Sequence, residues 1–476
     1  MGCPLPRIRI RHDGPAYAQW RPAGKQIAVS LLERYFTGNT FDYKQIFAIV
    51  TPIFIDQLFV IVTGMLNTAM ISSSGIAAVT AVSMVDALNL FIFNVFVALA
   101  TGGTVIVAQY RGARNQDMVS RSASQAITVV TAASALIGLS VIAFHTPILH
   151  GLLGNSEPEV IRNAEIYLIG SCLTAPLLGV YQAVTGVLRG IAETKACLSL
   201  SIIMNLSFFL LNIAFVSLLD LGVTGLAIAL FLARAAGAAA SLMYLRKFGD
   251  VLHFQFKNAL KLNVSIVRKM MYIGLPFAAE QMFFNGGKLL TQTFIVQFGT
   301  LAMTVNAIGS AYISVSQTGA NALSIALVTV VGQCIGRKDI ADAKKFVKSF
   351  LALCSLTMLI AALVLLPVYP VVVRWFSPPE EIIPEIFRIC LLAAVAQPVL
   401  WSLSFLLPSA LRAAGDSKFT SITSLITMWL VRVVLGYILA ISFRLGVLGV
   451  WSAMVIEWGV RGALVAWRFR GEEWYR

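Results

Sequence analysis

Asp56, Asp86 and Glu280 lie inside long apolar runs of the chain. An ionisable side chain held within a membrane span costs roughly 2.5–3.5 kcal/mol on insertion scales, so such groups mark function by default. A carboxylate that alternates between water and an apolar surround can take up and release a proton or a cation with that exchange, which is coupling chemistry. At 100° per residue Asp56 shares a helical face with Thr63 and Asn67, and Glu280 shares one with Gly287 and Thr291. Asn285, Lys288 and Gln292 form a second polar stripe beside it. These residues are read as candidates: Asp56, Glu280 and Asp86 for ion coupling, and Asn67, Thr63, Asn285, Lys288, Gln292 and Thr291 for the substrate path. The competing reading of Asp56 and Glu280 places them at headgroup level, where they would only offset the helix macrodipole. Lys288, deeper than Glu280, would either pair with Glu280, Asp56 or Asp86 or repel cations. Glu457 and Arg461, four residues apart, predict an internal ion pair.

The elements that position these groups must be membrane helices. The 476 residues are 58% hydrophobic and only 12% charged, about half the charge of a soluble domain. A span needs about 20 mostly apolar residues. Such runs occur near 45–71, 77–108, 122–145, 162–188, 196–218 and 222–245, and again near 269–297, 303–333, 346–368, 385–411, 419–441 and 446–468. They are too long for barrel strands, and a helix satisfies its own backbone in lipid. The organisation expected is an N-terminal extension over 1–44, a six-helix half over 45–245, a basic linker over 246–268, a second half over 269–468, and a tail over 469–476. Pro176, Pro398 and Pro408 should kink their helices.

The net charge of +14 invites a nucleic-acid partner, but its distribution excludes one. Most Lys and Arg fall in the termini and in one set of alternating loops, including Arg111, Arg114, Arg337, Lys338, Lys344 and Lys345, while the opposite loops carry Glu157, Glu159, Glu380 and Glu381. This is the positive-inside pattern, and it predicts a multi-pass plasma (inner) membrane protein with both termini cytoplasmic. The six cysteines have no metal-ligand or disulfide spacing, so no metal is expected.

The two halves repeat. At one constant offset Pro52 falls on Pro276, Asp56 on Glu280, Gln57 on Gln281, Gly75 on Gly299, Gln109 on Gln333, Gly112 on Gly336, Gly222 on Gly446 and Gly225 on Gly449. Shifted by one residue, Leu188-Arg189 matches Leu411-Arg412, Glu193 matches Asp416, and Lys195 matches Lys418. An even number of helices returns the chain to its starting side, so the halves should be related by a pseudo-twofold axis along the membrane normal. The fold class expected is an all-α polytopic membrane protein of about twelve transmembrane helices, with a cleft between halves that opens by rocking.

These stretches resemble the multidrug and toxic compound extrusion (MATE) family, bacterial type. The resemblance is carried by Thr51-Pro52 with Gln57, Ala100 to Thr104 running to Ala108-Gln109-Tyr110 and Gly112, and Gly186 to Gly190 with Thr194-Lys195. Gly274-Leu275-Pro276, Val331-Gly332-Gln333 with Gly336, and Leu411-Arg412 through Gly415-Asp416 to Lys418 complete it. It covers roughly 45–468. It implies a V-shaped secondary exporter that exchanges organic, often cationic, compounds for protons or sodium ions. The family often carries an Asp in an Asn-Leu-Val-Asp-like stretch of the first helix, where Gly64-Met65-Leu66-Asn67 stands here. Asn67 cannot titrate, and Asp56, three turns away on the same face, is the substitute. Phe284 aligns with an acidic position of one group of relatives, and Glu280 is the nearest carboxylate.

The expected function is multidrug antiport by alternating access, with a flippase for lipid-linked precursors or polysaccharide as the alternative. Convergence of Lys288, Arg234 and Arg432 on one cavity would favour the flippase. No ATP-binding motif occurs, so the chain is read as a non-enzyme without cofactor, driven by an ion gradient. Its partners would be small amphipathic molecules and the bilayer, and it would act as a monomer.

Overall fold

A computed structural model describes residue 30 and residues 32–71, 75–154, 156–248, 262–375 and 378–475. Among the described residues the chain is helical with no strand. The first half comprises α1 (Tyr43–Ile71), α2 (Ile76–Gly112), α3 (Gln116–Ala143), α4 (Pro158–Leu173 and Ala175–Gly190), α5 (Thr194–Leu218) and α6 (Gly222–Lys247). The second comprises α7 (Val264–Val296), α8 (Thr300–Ser316 and Thr318–Gly336), α9 (Ile340–Trp375), α10 (Glu380–Ala414), α11 (Ser417–Ser442) and α12 (Gly446–Arg470). Ten of the described helices are long and apolar enough to cross a membrane, eleven if α4, bent by 46°, is one broken span. The bend falls at Thr174, just before Pro176, where the ring removes a backbone donor. Pro398 sits at the start of a π-helical stretch in α10. α7 has 33 residues and is about 50 Å long, but Arg268, Lys269, Glu280 and Lys288 lower its hydropathy.

Large apolar side chains point outward along the bundle: Leu136, Leu139, Leu363, Val395 and Leu430 are all more than half exposed. So apolar an exterior suits a lipid surround rather than water. The repeat extends to backbone angles. Positive φ occurs in matched pairs, at Gly75 (95°) and Gly299 (89°), Gly222 (52°) and Gly446 (57°), and Arg114 (55°) and Lys338 (61°). These are loop positions where each half makes the same turn, and the pseudo-twofold relation of the halves follows from them and from the packing below.

α2 packs along α7 and α8, and α8 packs on α1, so the halves meet through their first two helices. At the end where α2 and α8 finish, Gly112 lies against the Gln333 carbonyl and Gly336 against the Gln109 carbonyl, with no room for a Cβ at either place. Gln109 Nε2 donates to the Ala413 carbonyl (2.9 Å), and Gln333 Nε2 donates to the Gly190 carbonyl (3.0 Å). This reciprocal seam closes that end of the bundle. The described part of the N-terminal extension binds the same end. The Thr40 N–H donates to Asp342 Oδ2 (2.7 Å), and Phe36 and Phe41 are buried against Phe350 and Phe346 of α9. Residues 249–261 of the expected linker lie outside the described residues.

Candidate functional site

Each half presents one carboxylate to an arginine of its own fourth helix. Glu280 of α7 is buried, and Arg412 Nη1 at the end of α10 donates to its Oε2 (3.1 Å). Ser421 Oγ donates to the same oxygen (3.0 Å), Arg412 Nη2 donates to Ser409 Oγ (3.3 Å), and the guanidinium lies 4.1 Å from the Phe277 ring centre. In the first half Asp56 of α1 is equally buried, and Arg189 of α4 approaches its Oδ2 only to 4.0 Å. Asp56 Oδ1 and Arg189 Nε are buried there without a hydrogen-bond partner. Neither carboxylate points out to headgroups. The sequence shows Arg189 and Arg412 as repeated residues without revealing them as the partners of these carboxylates. A repeated cation accompanying a repeated intramembrane carboxylate was the available signal.

Arg189 and Arg412 face one gap between the halves, of about 280 Å³, together with Gln57, Thr101, Thr104 and Phe277. Asn321 of α8 lines this gap and also a larger chamber of about 410 Å³ inside the second half. The chamber is walled by Phe284, Trp401, Phe405, Trp451 and Trp458, with Lys288, Thr291, Gln292, Asn306 and Arg432 among them. Lys288, Gln292, Ser310, Ser314 and Asn321 are solvent-exposed although they lie well within their helices. The chamber is therefore open to water. It runs toward the end opposite the glycine seam, since Ile295 lies in the last turn of α7 and Val450 in the second turn of α12.

Of the candidates named from sequence, Lys288, Thr291 and Gln292 line this chamber. Asn285 donates to the Gln281 carbonyl (2.9 Å), and the Thr63 hydroxyl, buried, donates to the Phe59 carbonyl (2.9 Å). Neither lines the gap or the chamber. The side chain of Asn67 lies outside the described residues. Of the two readings of Lys288, the cross-cleft pair is not formed: among the described residues no carboxylate is within 4.0 Å of it, and its Nζ lies 5.0 Å over the Phe284 ring. α7 carries Glu280 and Lys288 two turns apart, so the carboxylate meets Arg412 at the seam while the ammonium reaches the chamber. The expected pair of Glu457 and Arg461 forms, fully buried.

Asp86 belongs to a different cluster, inside the first half. It is exposed and accepts from the Tyr167 hydroxyl (2.7 Å). The Ser171 hydroxyl donates to Asn89 Oδ1 (2.9 Å), and Arg234 Nη1 donates to Thr174 Oγ1 (2.5 Å) and to the Ser171 carbonyl (3.2 Å). Arg234 is thus held locally by α4 and does not join Lys288 and Arg432. Among the described residues no group of three or more His, Cys, Asp or Glu is placed to hold a metal ion.

The family model MatE matches residues 52–218 and 276–438, beginning at the paired prolines Pro52 and Pro276. The chain is 26% identical to the Uncharacterized transporter YisQ of Bacillus subtilis (strain 168), over 90% of this chain and 94% of that protein. It is 22% identical to the Probable multidrug resistance protein NorM of Thermotoga maritima, over 90% of this chain and 93% of that one. Its fold is similar to a solved outward-facing conformation of a multidrug resistance MATE family transporter of the MOP superfamily. That likeness has a TM-score of 0.83 at 16% identity, over 90% of this chain and 95% of that one.

Proposed function

The chain belongs to the MatE family of membrane transporters, and from that premise we propose that it is a secondary active exporter of amphipathic organic compounds, driven by inward movement of protons or sodium ions. The observation that carries this reading is the pair of buried carboxylates, Asp56 and Glu280, at repeated positions beside a gap that shares Asn321 with a chamber open to water. The basic loops support a cytoplasmic seam end, and on that reading the conformation described is closed inside and open outside. Glu280 holds Arg412 by charge. Once a proton or a cation neutralises the carboxylate, that attraction is lost and Arg412 is released toward the gap it shares with Arg189. The change biases the seam between its two states, and a ligand shifts such an equilibrium only through a difference in its affinity for them. Asp56 serves the first half in the same way, in place of the non-titrating Asn67.

The test is Glu280→Gln in proteoliposomes with pH and sodium gradients imposed separately. Ion-driven efflux is expected to vanish while the variant inserts at normal level. Efflux at the parental rate removes Glu280 from the coupling. The flippase reading draws on one observation, the meeting of Lys288 and Arg432 in a single cavity. It predicts gradient-independent movement of lipid-linked sugars across the same vesicles.

A further inference from the structure

Lys288, Arg412, Arg432 and Arg461 all reach the interior of the second half, against two carboxylates, Glu280 and Glu457. Glu280 is engaged by Arg412 and Glu457 by Arg461. Lys288 and Arg432 are left over. Both line the chamber, and among the described residues neither has a carboxylate within 4.0 Å. Arg432 is buried, and its one hydrogen-bond partner among the described residues is the Met428 sulfur at 3.9 Å. The two cations lie 5.0 Å and 5.7 Å from the centre of one ring, Phe284, and Arg461 is 5.3 Å from it.

An aromatic face returns less to a cation than the water that the buried Arg432 has given up. Two such charges side by side also repel. The arrangement rejects a cationic guest and is completed by an anionic one. Its walls set the rest of the ligand. Trp401 stacks on Phe405 with ring centres 4.9 Å apart, and the Trp451 N–H donates to Asn306 Oδ1 (3.1 Å), which fixes its indole as a wall of the chamber. A volume of about 410 Å³ falls within the range of small-molecule sites.

We propose that this chamber binds amphipathic organic anions: a sulfonate, carboxylate or phosphate on a flat apolar body, with Lys288 and Arg432 holding the charged group and the indoles the body. The export of such compounds rests on the exporter reading above; their binding does not. Equilibrium binding without any gradient therefore separates the two. The protein in phosphatidylcholine nanodiscs is titrated with naphthalene-2-sulfonate and with 2-naphthyltrimethylammonium, which share a ring system and differ in charge sign, and tryptophan quenching is followed. The sulfonate is expected to bind at least tenfold more tightly. Lys288→Gln should weaken it tenfold or more, and Arg432→Gln should do the same where the melting temperature shows the variant folded. Arg432→Lys, which keeps the charge, should restore most of the affinity if the glutamine variant does not fold. Equal or tighter binding of the ammonium probe overturns the proposal, as does an unchanged sulfonate affinity in folded Lys288→Gln.

Discussion

The two ion pairs occupy matching places in the two halves and are not equally made. Glu280 and Arg412 meet at 3.1 Å with Ser421, Ser409 and Phe277 around them, whereas Asp56 and Arg189 stand 4.0 Å apart with buried polar atoms left over. The repeat accounts for the difference. Where the second half has Ser421, Ser409 and Phe277, the same offsets give Leu198, Gly186 and Ile53 in the first. The hydroxyl that donates to the carboxylate, the one that holds the guanidinium and the ring beneath it are all missing. The charged residues in the interiors of the two halves diverge further: Lys288 corresponds to Gly64, Arg461 to Gly237 and Glu457 to Ala233, while Arg234 of the first half corresponds to Trp458. Duplication kept the seam and its paired charges, and let each half's interior go its own way. The seam is therefore alike from both sides, while the two interiors present different side chains.

The comparison can be tested by stability in detergent. Arg412→Ala strands a buried Glu280, and breaking a buried pair in this way costs about 3–5 kcal/mol. Arg189→Ala also strands a buried carboxylate, but from a pair that stands 4.0 Å apart with polar atoms already unpartnered, so it should cost less than Arg412→Ala. Thermal unfolding of both variants would measure this, and equal losses would show that the asymmetry has no energetic content. A smaller effect is expected at the seam, where the halves are alike. Gly112→Ala and Gly336→Ala should each destabilise the closed end by about 1–3 kcal/mol through overpacking. Cysteine-labelling rates at that end should rise similarly for the two, and a one-sided response would contradict the reciprocal packing. The smallest expected effect is that of Ser421→Ala, which removes one charge-assisted hydrogen bond to Glu280, worth roughly 1.5 kcal/mol. It should bring the second pair toward the behaviour of the first in the same melting assay.

Much of this organisation was legible in the chain itself. The helices, their order and the repeat followed from apolar runs and from a constant offset between Pro52 and Pro276, because lipid forces every span to be a helix and duplication preserves spacing. Glu457 with Arg461 was legible as well, being a contact within one helix. Contacts between helices were not. The fates of Asp56 and Glu280 depended on Arg189 and Arg412, more than 130 residues away along the chain, and no periodicity within one helix reports on such a neighbour. Charge alone left Lys288 either paired with a carboxylate or repelling cations, and the rotation of α7 decided against the pair by placing Glu280 beside Arg412 and Lys288 in the chamber.

The sequence by itself determined that this chain lies in a membrane as two copies of one six-helix unit, since hydropathy and spacing are properties of the chain read in order. Only the tertiary structure decided which charges meet and which are left facing water. That outcome depends on helix rotation and on packing across the seam, where glycines admit a carbonyl and a few ångströms separate a tight pair from a loose one.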